Sequence, residues 1–329
     1  MDQKISARII GTGSFTPPRR MTNADFEKLV DTTDEWITTR TGIKERRIAD
    51  ENMPTSDMAV EACKNALEMS GCSPDEIDLL ILGTVTPDYK LPSTACLVQE
   101  KLKLKNAAAF DIVAACTGFI TGLSISNSYI KMGTYKKILV VGCEKLSSVT
   151  NYKDRNTCVL FGDGAGAAVV SAEETDRGIK STYIKSDGSY KELLWIKSGG
   201  SAHPYTSDFS FDGSDKILMN GSDVFKIAVK KMADSAKIAL EQAGITSDDI
   251  ALVIPHQANI RIIEALAKRL KMDMNRVFMN IEKYGNTSAA SVPIALDEAN
   301  RNGTIKEGDY ILMVAFGGGL IWGSNLIKW

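Results

Sequence analysis

Two kinds of segment take turns along this chain. In one, apolar residues recur with the period of a helix, and in the other nearly every residue is apolar. From residue 56 to 70, small apolar residues recur at helical spacing, and Gly71 stands where a glycine commonly ends a helix. The segment 78–83 is almost entirely apolar, which is typical of a strand covered on both faces of a sheet. The pattern predicts a helix followed by a buried parallel strand.

The second half of the chain repeats this order. A helical pattern runs from about 224 to 240, Gly244 ends it, and an acidic turn at 246–250 precedes an apolar strand at 251–254. Gly71 and its acidic turn at 73–77 occupy the same places in the first half. The repetition indicates an internal duplication of a β-α-β-type unit.

The parallel continues downstream in both halves. A strand at 107–113 leads to a helix that runs from Cys116 to about 132, and a strand begins at 137. In the second half, 277–280 leads to a helix that begins near Asn286, and a strand begins at 310. We therefore predict an α/β fold with two parallel-sheet layers, helices between and outside them, and two halves at 1–171 and 172–329.

The duplication predicts equivalent positions for Cys116 and Asn286, each at the start of a helix that follows a strand. A pseudo-two-fold axis would bring the two helix N-termini together, and His256 lies just beyond the strand at 251–254. A helix N-terminus favours the thiolate of an accessible cysteine, which would make Cys116 a nucleophile. For each residue alone, a packed thiol, a buried histidine and a helix cap are the alternatives.

Composition narrows the class of protein. The chain has 329 residues, of which 44% are apolar and 24% charged, with 39 basic and 41 acidic side chains. This balance argues against non-specific nucleic-acid binding. No run approaches the roughly 18 apolar residues of a membrane span, and residues 1–8 lack the apolar region of a signal peptide. We expect a cytoplasmic protein without a membrane segment.

The cysteines and histidines limit the chemistry further. All six cysteines lie in the first half without a Cys-x-x-Cys pair, which fits reduced thiols better than disulfides or a zinc site. Only two histidines exist, His203 and His256, so chemistry that needs histidine must use one of them.

Several glycine-rich and polar segments allow more than one interpretation. Three glycines at 317–319 follow the last core strand and could present backbone N–H groups to an oxyanion, or could form a tight turn. The segments 9–15 and 161–167 lack the remaining residues of nucleotide-binding motifs, and we interpret both as turns associated with strands. The segment 36–42 is predicted as a loop, and the polar stretch 183–221 as a lid or connecting loop.

Four ordered motifs together resemble the signatures of the β-ketoacyl-acyl-carrier-protein synthase III family, which has the thiolase fold. They are Ala-Cys-Thr-Gly-Phe at 115–119, Pro-His-Gln-Ala-Asn at 255–259, Tyr-Gly-Asn-Thr-Ser-Ala-Ala-Ser at 284–291 and Phe-Gly-Gly-Gly at 316–319. The resemblance covers essentially the whole chain and implies a five-layered αβαβα architecture. One departure is Thr117, where many relatives carry serine or alanine.

The resemblance implies a function and a site. Cys116 would take an acyl group from acyl-CoA, and His256 and Asn286 would stabilise the enolate formed when malonyl-acyl carrier protein loses carbon dioxide. The backbone N–H groups of Cys116 and Gly318 would form the oxyanion hole. The reaction would start type II fatty-acid synthesis, with the CoA thioester as a substrate and neither metal nor cofactor.

The family pattern also assigns binding roles. Residues implied to bind CoA are Thr32, Trp36, Arg40 and Arg155. Those implied to bind the acidic carrier protein are Arg261, Lys268, Arg269 and Lys271. Leu91 falls where relatives place a residue that crosses a homodimer interface to limit the partner's acyl pocket, which implies a homodimer.

Other functions remain open at this point. A Cys-His-Asn peptidase would need Asn286 behind His256 as an orienting residue. A non-catalytic carrier-protein-binding module would need Arg261 but would not need Cys116, His256 and Asn286. A non-decarboxylating thiolase would need a second cysteine in the C-terminal half, which has none. The primer acyl group, and whether the pathway is fatty-acid synthesis or a specialised one, cannot be predicted from the sequence.

Overall fold

Two mixed sheets form the centre of the protein in the computed structural model, which describes residues 5–329. Of the segment 1–8, which was found above to lack the pattern of a signal peptide, residues 1–4 lie outside this range. The strands are β1 (Ile5–Phe15), β2 (Arg20–Thr22), β3 (Glu45–Arg47), β4 (Leu79–Gly83), β5 (Ala108–Ile112), β6 (Lys137–Glu144), β7 (Gly164–Glu174), β8 (Gly178–Ser186), β9 (Leu194–Ile196), β10 (Ile217–Met219), β11 (Ile250–Pro255), β12 (Tyr310–Gly317) and β13 (Ile321–Lys328).

The helices lie outside and between the sheets. They are α1 (Asn23–Phe26), α2 (Asp34–Thr41), α3 (Thr55–Ser70), α4 (Thr94–Leu102), α5 (Gly118–Lys131), α6 (Arg155–Cys158), α7 (Gly221–Ala243), α8 (Ile260–Leu270), α9 (Ile281–Tyr284) and α10 (Ser291–Arg301). Short 3₁₀ turns at Ala115–Thr117 and Ser288–Ala290 precede α5 and α10.

The sheet order differs in one respect from the prediction of parallel layers. The first sheet has the order β1-β7-β6-β4-β5 and the second has the order β11-β12-β13-β8. Only β6-β4-β5 and β11-β12 pair in parallel, whereas β1, β7, β8 and β13 run antiparallel to their neighbours. The prediction of purely parallel sheets was therefore wrong, because it took account only of the strands joined by crossover helices.

The five-layered arrangement is confirmed. Buried side chains of α5 and α10 pack between the two sheets, while α3 and α4 cover the outer face of the first sheet and α7 and α8 that of the second. Each fully buried aliphatic side chain contributes about 1.5–3 kcal/mol relative to its exposed state. The middle layer matters for function, because both of its helices begin at the same end of the sheets.

The two halves correspond at a constant spacing of 173 positions. Leu79 pairs with Ile138 in the first sheet, and Leu252 pairs with Ile311 at the same place in the second. The 3₁₀ turns at 115–117 and 288–290 obey the same spacing, as do Gly71 and Gly244, which end α3 and α7 in the left-handed conformation.

This spacing corrects the predicted equivalence of the two site residues. The counterpart of Cys116 is Ala289, in the middle of the second 3₁₀ turn, and the counterpart of Asn286 is Val113. The prediction was wrong by three residues, because the sequence shows where each helix begins only approximately. The duplication supplies the same framework twice but places different chemistry on each copy.

Three local predictions were also wrong or incomplete. Residues 36–41 belong to α2 rather than to a loop, since Thr33 caps this helix through its hydroxyl. The second-half segment 277–280 makes a single bridge to β11 instead of a strand. The polar stretch begins after β8 at 187, and it includes the antiparallel pair β9-β10.

All six cysteines are free thiols. None of the helices described between residues 5 and 329 is long and apolar enough to cross a membrane.

Candidate active site

A large cavity opens where α5, α10 and the ends of both sheets meet. Its volume is about 1010 Å³, and Cys116, His256, Asn286 and Gly318 all line it. The sequence predictions therefore named four residues that the fold brings together.

Cys116 lies in the 3₁₀ turn between β5 and α5, after Ala115 with a φ of +43°. The thiol is half-buried, and desolvation by the cavity walls raises its pKa to about 12, while the interaction with Ser288 lowers it and the charge of Glu144 raises it further. The helix N-terminus was expected to favour the thiolate of an accessible cysteine, whereas desolvation raises the pKa here.

The glycine segment after β12 passes close to the nucleophile. A Cβ on Gly317 would lie 2.6 Å from the Cys116 backbone nitrogen, so only glycine fits at this position. Gly318 follows on the cavity wall. The backbone of the cysteine turn and the end of β12 thus lie side by side, as two backbone donors of one oxyanion hole must.

His256 follows β11 and is held by its own backbone N–H, which donates to the Val314 carbonyl over 2.8 Å. Its Nδ1 lies 2.6 Å from the Ser291 hydroxyl, which also accepts a hydrogen bond from the Gln257 backbone N–H at 3.4 Å. Because Ser291 accepts from that N–H, its own proton is free to be donated to Nδ1. The imidazole proton is then on Nε2.

The His256 ring is neutral at physiological pH. Burial lowers its pKa to about 3. A neutral Nε2–H group can donate a hydrogen bond to a carbonyl or enolate oxygen but is a poor source of protons.

Asn286 is oriented by three hydrogen bonds around the second 3₁₀ turn. Its backbone N–H donates to Leu160, its carbonyl accepts from Gly162, and its side-chain Oδ1 accepts from the Ser288 N–H over 2.9 Å. The bond to Oδ1 assigns the other end of the amide, Nδ2, as the donor for a cavity ligand.

This arrangement disfavours a peptidase of the Cys-His-Asn type. In such an enzyme the asparagine orients the histidine from behind, whereas here Ser291 occupies that position on Nδ1. Asn286 instead lines the cavity together with His256, as two donors toward a common ligand.

The outer part of the cavity contains aromatic and cationic side chains. Trp36 and Arg40 lie on successive turns of α2, with the Arg40 guanidinium carbon 4.8 Å from the centre of the indole ring. The Arg155 guanidinium carbon lies 5.1 Å from the same ring, and Arg155 donates to the Asp31 carbonyl. Trp36 and Arg40 line the cavity, whereas Thr32 and Arg155 do not, and the buried Thr32 hydroxyl has no partner among the described residues.

The predicted carrier-protein residues lie on α8. Arg261 is exposed at the first turn and reaches the cavity wall, while Lys268 and Arg269 lie in the last turn and Lys271 caps the helix. At about 100° per residue, Lys268 lies roughly 20° from Arg261 around the helix, whereas Arg269 and Lys271 lie roughly 80° away on opposite sides. Arg261 and Lys268 therefore share one face.

Leu91 lies apart from the cavity of its own chain. It is 87% exposed in the loop between β4 and α4, close in sequence to the exposed Tyr89. The sequence departure at Thr117 has no effect on the cavity wall, because this side chain is buried and donates to the Ala114 carbonyl.

Sequence reasoning missed three polar residues of the site and most of its apolar wall. The polar residues are Glu144, Ser288 and Ser291. The ribbon β9-β10 supplies Leu194, Ile196 and Met219 to the wall. Glu144 could have been found, since a carboxylate that ends an apolar strand is unusual. Among residues 5–329, no group of three or more His, Cys, Asp or Glu side chains is placed to hold a metal ion.

Comparison with known proteins identifies the family. The model of 3-oxoacyl-[acyl-carrier-protein] synthase III matches residues 110–188, and the model of its C-terminal part matches residues 240–329. The β-ketoacyl-[acyl-carrier-protein] synthase III of Caldanaerobacter subterraneus subsp. tengcongensis is 56% identical over 100% of this chain and 99% of its own length. The chain belongs to the β-ketoacyl-[acyl-carrier-protein] synthase III family.

Solved structures of this family superpose closely on the chain. The 3-oxoacyl-[acyl-carrier-protein] synthase III of Aquifex aeolicus is 52% identical, with a TM-score of 0.91 over 98% of this chain and 100% of that one. The priming β-ketosynthase of the R1128 polyketide pathway is 37% identical, with a TM-score of 0.93 over 100% of this chain and 98% of that one. The fold is therefore the thiolase fold of the synthase III enzymes.

Proposed function

We propose that this protein condenses an acyl-CoA primer with malonyl-acyl carrier protein, releasing CoA and carbon dioxide, and so starts type II fatty-acid synthesis. The observation that carries the proposal is one cavity with Cys116, His256 and Asn286 at one end and Trp36 and Arg261 in the outer part. A thiol, two neutral donors and a cationic, aromatic entrance together suit two successive thioester substrates.

The first half-reaction transfers the acyl group to the enzyme. The sulfur of Cys116 attacks the carbonyl carbon of acyl-CoA, a new carbon-sulfur bond forms, the bond to the CoA sulfur breaks, and CoA leaves as the free thiol with the proton lost by Cys116. The N–H groups of Cys116 and Gly318 stabilise the tetrahedral oxyanion. Each such donor lowers the barrier by about 3 kcal/mol in comparable oxyanion holes.

The second half-reaction forms the new carbon-carbon bond. His256 Nε2–H and Asn286 Nδ2 donate to the thioester oxygen of malonyl-acyl carrier protein, so that an enolate can form as carbon dioxide leaves. The enolate carbon attacks the acyl-enzyme carbonyl, and the Cys116 sulfur is released as a thiolate that takes up one proton from water. Apart from that proton, these steps use only side chains and backbone of this chain, with the CoA thioester as a substrate.

The cavity entrance binds both CoA and the acyl carrier protein. The indole of Trp36, with the guanidinium groups of Arg40 and Arg155 near its ring, offers a stacking surface for the adenine of CoA, and Thr32 lies four residues before it on the chain. Arg261, extended by Lys268, Arg269 and Lys271, forms a cationic surface at the same opening for the acidic carrier protein.

We further propose a homodimer in the cytoplasm, in which the halves 1–171 and 172–329 each form one sheet and its outer helices, except that β7 of the first sheet extends past 171 to Glu174. Among the strands of residues 5–329, β5 pairs only with β4 and has an unpaired edge, and the exposed Leu91 lies in the loop that follows β4. Pairing of two β5 edges would bury them and bring Leu91 to the partner's cavity. The six free thiols fit a reducing compartment.

Intact-mass measurement tests the reaction. Incubation with acetyl-, propionyl- and branched acyl-CoA should add one acyl group to the wild type and none to Cys116→Ala. Malonyl-acyl carrier protein should then remove that group as 3-oxoacyl-acyl carrier protein. A wild type that is never acylated, or a Cys116→Ala variant with full turnover, refutes the mechanism, and the preferred acyl group identifies the primer.

Charge reversal tests carrier-protein docking. Arg261→Glu should raise the KM for malonyl-acyl carrier protein at least tenfold and leave acylation by acyl-CoA within about twofold, because charge steering acts on the acidic partner. Lys64→Glu, the same change on the exposed surface of α3, serves as the control. Equal effects of the two substitutions would contradict a docking role for Arg261.

A further inference from the structure

Arg46 is an arginine without exposed surface in the middle of β3. The described hydrogen bonds of its side chain end on uncharged groups, namely the Met21 carbonyl, Asn23 Oδ1 and the Val159 carbonyl. Its guanidinium carbon lies 4.4 Å from the centre of the Phe26 ring. Burial lowers its pKa to about 10, which leaves the group charged at neutral pH. A buried cation without a carboxylate partner is costly, so its place in the fold calls for an explanation.

One arm of the guanidinium leads to the helix that carries Trp36. Nη1 donates to Asn23 Oδ1 over 2.9 Å. The same buried amide donates through Nδ2 to Asp34 Oδ1 over 2.7 Å and to Thr38 Oγ1 over 3.2 Å. Asp34 and Thr38 stand one turn apart on α2, on either side of Trp36 in the sequence. Arg46 therefore fixes the orientation of α2 through a single amide.

The other arm leads to the segment that carries Asn286. Nη2 donates to the Val159 carbonyl over 2.5 Å. Val159 follows α6, the short helix that begins with Arg155, and shares this peptide group with Leu160. The next carbonyl, that of Leu160, accepts the Asn286 N–H over 2.8 Å. The guanidinium thus holds the backbone on which Asn286 depends.

The aliphatic stem of Arg46 packs beside the same segment. A Cβ on Gly162 would lie 3.1 Å from Arg46 Cβ, and one on Gly285 would lie 3.4 Å from it. These two glycines stand next to Phe161 and Asn286, which form a parallel bridge. Arg46 supports the Asn286 segment by packing as well as by hydrogen bonding.

We propose that Arg46 is a positioning residue for both thioester substrates, because it fixes the CoA-binding helices α2 and α6 against the segment that presents Asn286 to the malonyl thioester. The inference rests on the proposed function and deepens it, since it assigns one support to groups used in different half-reactions. Arg46 is not part of the cavity wall, and it acts through Asn23 and the Val159 carbonyl.

The chemical step of acylation does not depend on this support. Cys116 lies in the turn before α5, and Gly318 follows β12. None of the described hydrogen bonds of the Arg46 side chain ends on these elements. Loss of Arg46 should therefore weaken the binding of acyl-CoA and slow decarboxylation, while acyl transfer from bound acyl-CoA persists.

Arg46→Met, which removes the donors and keeps an apolar stem, tests this separation. Acylation is followed by rapid-quench intact mass over a range of acyl-CoA concentrations. Decarboxylation is followed by the carbon dioxide that malonyl-acyl carrier protein releases on the acylated enzyme. Both rates are divided by the fraction of enzyme that can be acylated, so that unfolded protein does not count.

The expected result is a split between three measured quantities. The KM for acyl-CoA should rise, and the decarboxylation rate should fall, each at least about tenfold, because small misplacements of a binding or catalytic group are costly. The acylation rate at saturating acyl-CoA should stay within about threefold of the wild type. Arg276→Met is the matched control, since Arg276 also donates to backbone carbonyls, those of Ser247, Asp248 and Ile250. It should leave all three quantities within about twofold.

Two milder variants keep the test decisive where Arg46→Met does not fold. Asn23→Ala breaks only the branch to α2, so it should raise the KM for acyl-CoA and leave decarboxylation within about threefold of the wild type. Arg46→Lys keeps the charge but has one ammonium group in place of the two-armed guanidinium. Its KM and decarboxylation rate should lie between those of the wild type and those of Arg46→Met.

Three results would overturn the proposal. They are an Arg46→Met variant that loses all three quantities equally or keeps either the KM or the decarboxylation rate within about threefold of the wild type, an Arg46→Lys variant with wild-type values of both, and an Asn23→Ala variant with an unchanged KM.

The same measurements separate this proposal from the proposed function. Absence of acylation of the wild-type protein by any acyl-CoA would remove the proposed function itself. Normal acylation and condensation by the wild type, abolished in Cys116→Ala and unchanged in the Arg46 variants, would retain the function and reject the positioning role alone.

Discussion

Replacing Ser291 by alanine should impair condensation while leaving acylation intact. The Ser291 hydroxyl lies 2.6 Å from His256 Nδ1, and with Ser291 assigned as the donor in this hydrogen bond the imidazole proton is on Nε2. Without it, buried Nδ1 has no hydroxyl to accept from, and the ring can turn or change tautomer, so that Nε2 no longer donates to the enolate. Acylation of Cys116 makes no use of that donor.

The size of the effect follows from the buried hydrogen bond. Leaving a buried donor or acceptor unpaired costs about 1–3 kcal/mol. If this cost falls on the transition state of decarboxylation, the rate decreases about 5- to 150-fold, at 1.36 kcal/mol for each factor of ten. The neutral ring predicts a loss that is nearly constant between pH 6 and 9, because its pKa of about 3 lies far below that range.

The two half-reactions must be measured separately. Acylation is followed by intact mass, and decarboxylation by the carbon dioxide released from malonyl-acyl carrier protein. Ser126→Ala is the matched control, since this buried serine of α5 bonds only the Gly122 carbonyl of its own helix. Equal losses in both half-reactions, or a decarboxylation rate within twofold of the wild type, would refute the assigned role of Ser291.

Three further predictions concern CoA binding, packing and pH. Trp36→Ala should raise the KM for acyl-CoA about tenfold and leave the KM for malonyl-acyl carrier protein unchanged in steady-state kinetics, since only CoA presents an adenine for stacking. Gly317→Ala should lower stability by about 1–3 kcal/mol in thermal unfolding and abolish acylation, because its Cβ would meet the Cys116 backbone, whereas Gly188→Ala, with open space around it, should do neither. Because the Glu144 pKa is raised in the folded protein, its contribution to stability is present at low pH and is lost as the pH rises through about 7. The melting temperature of Glu144→Gln should therefore increase relative to the wild type from pH 5 to 8, and an unchanged difference would contradict this ionisation.

The fold could be predicted from the sequence because the duplication is visible in the hydrophobic pattern. Gly71 and Gly244 mark the two helix ends, and both halves continue with an acidic turn and an apolar strand. The antiparallel strands were harder to predict, since nothing in the composition of β7 or β13 distinguishes them from parallel strands buried on both faces. Direction is determined by connections that the pattern does not show.

The site was predictable as far as its residues follow strands or begin helices. Cys116 and His256 could be placed in this way, and the cavity contains both. The roles of Ser288 and Ser291 could not be predicted, because serine is common at the start of a helix. Their importance becomes visible only when the fold places Glu144 beside Ser288 and His256 beside Ser291. The state of the Cys116 thiol was also beyond the sequence, since it depends on how deeply the turn is buried.

The two-stranded ribbon β9-β10 lines the cavity without being part of either main sheet. Leu194, Ile196 and Met219 face the cavity, yet they belong to a two-stranded pair outside both main sheets. Substitutions there can reshape the space for an acyl chain without removing a side chain from the middle layer that supports Cys116. The residues that shape this part of the cavity and those that support the nucleophile therefore lie in separate elements of the fold.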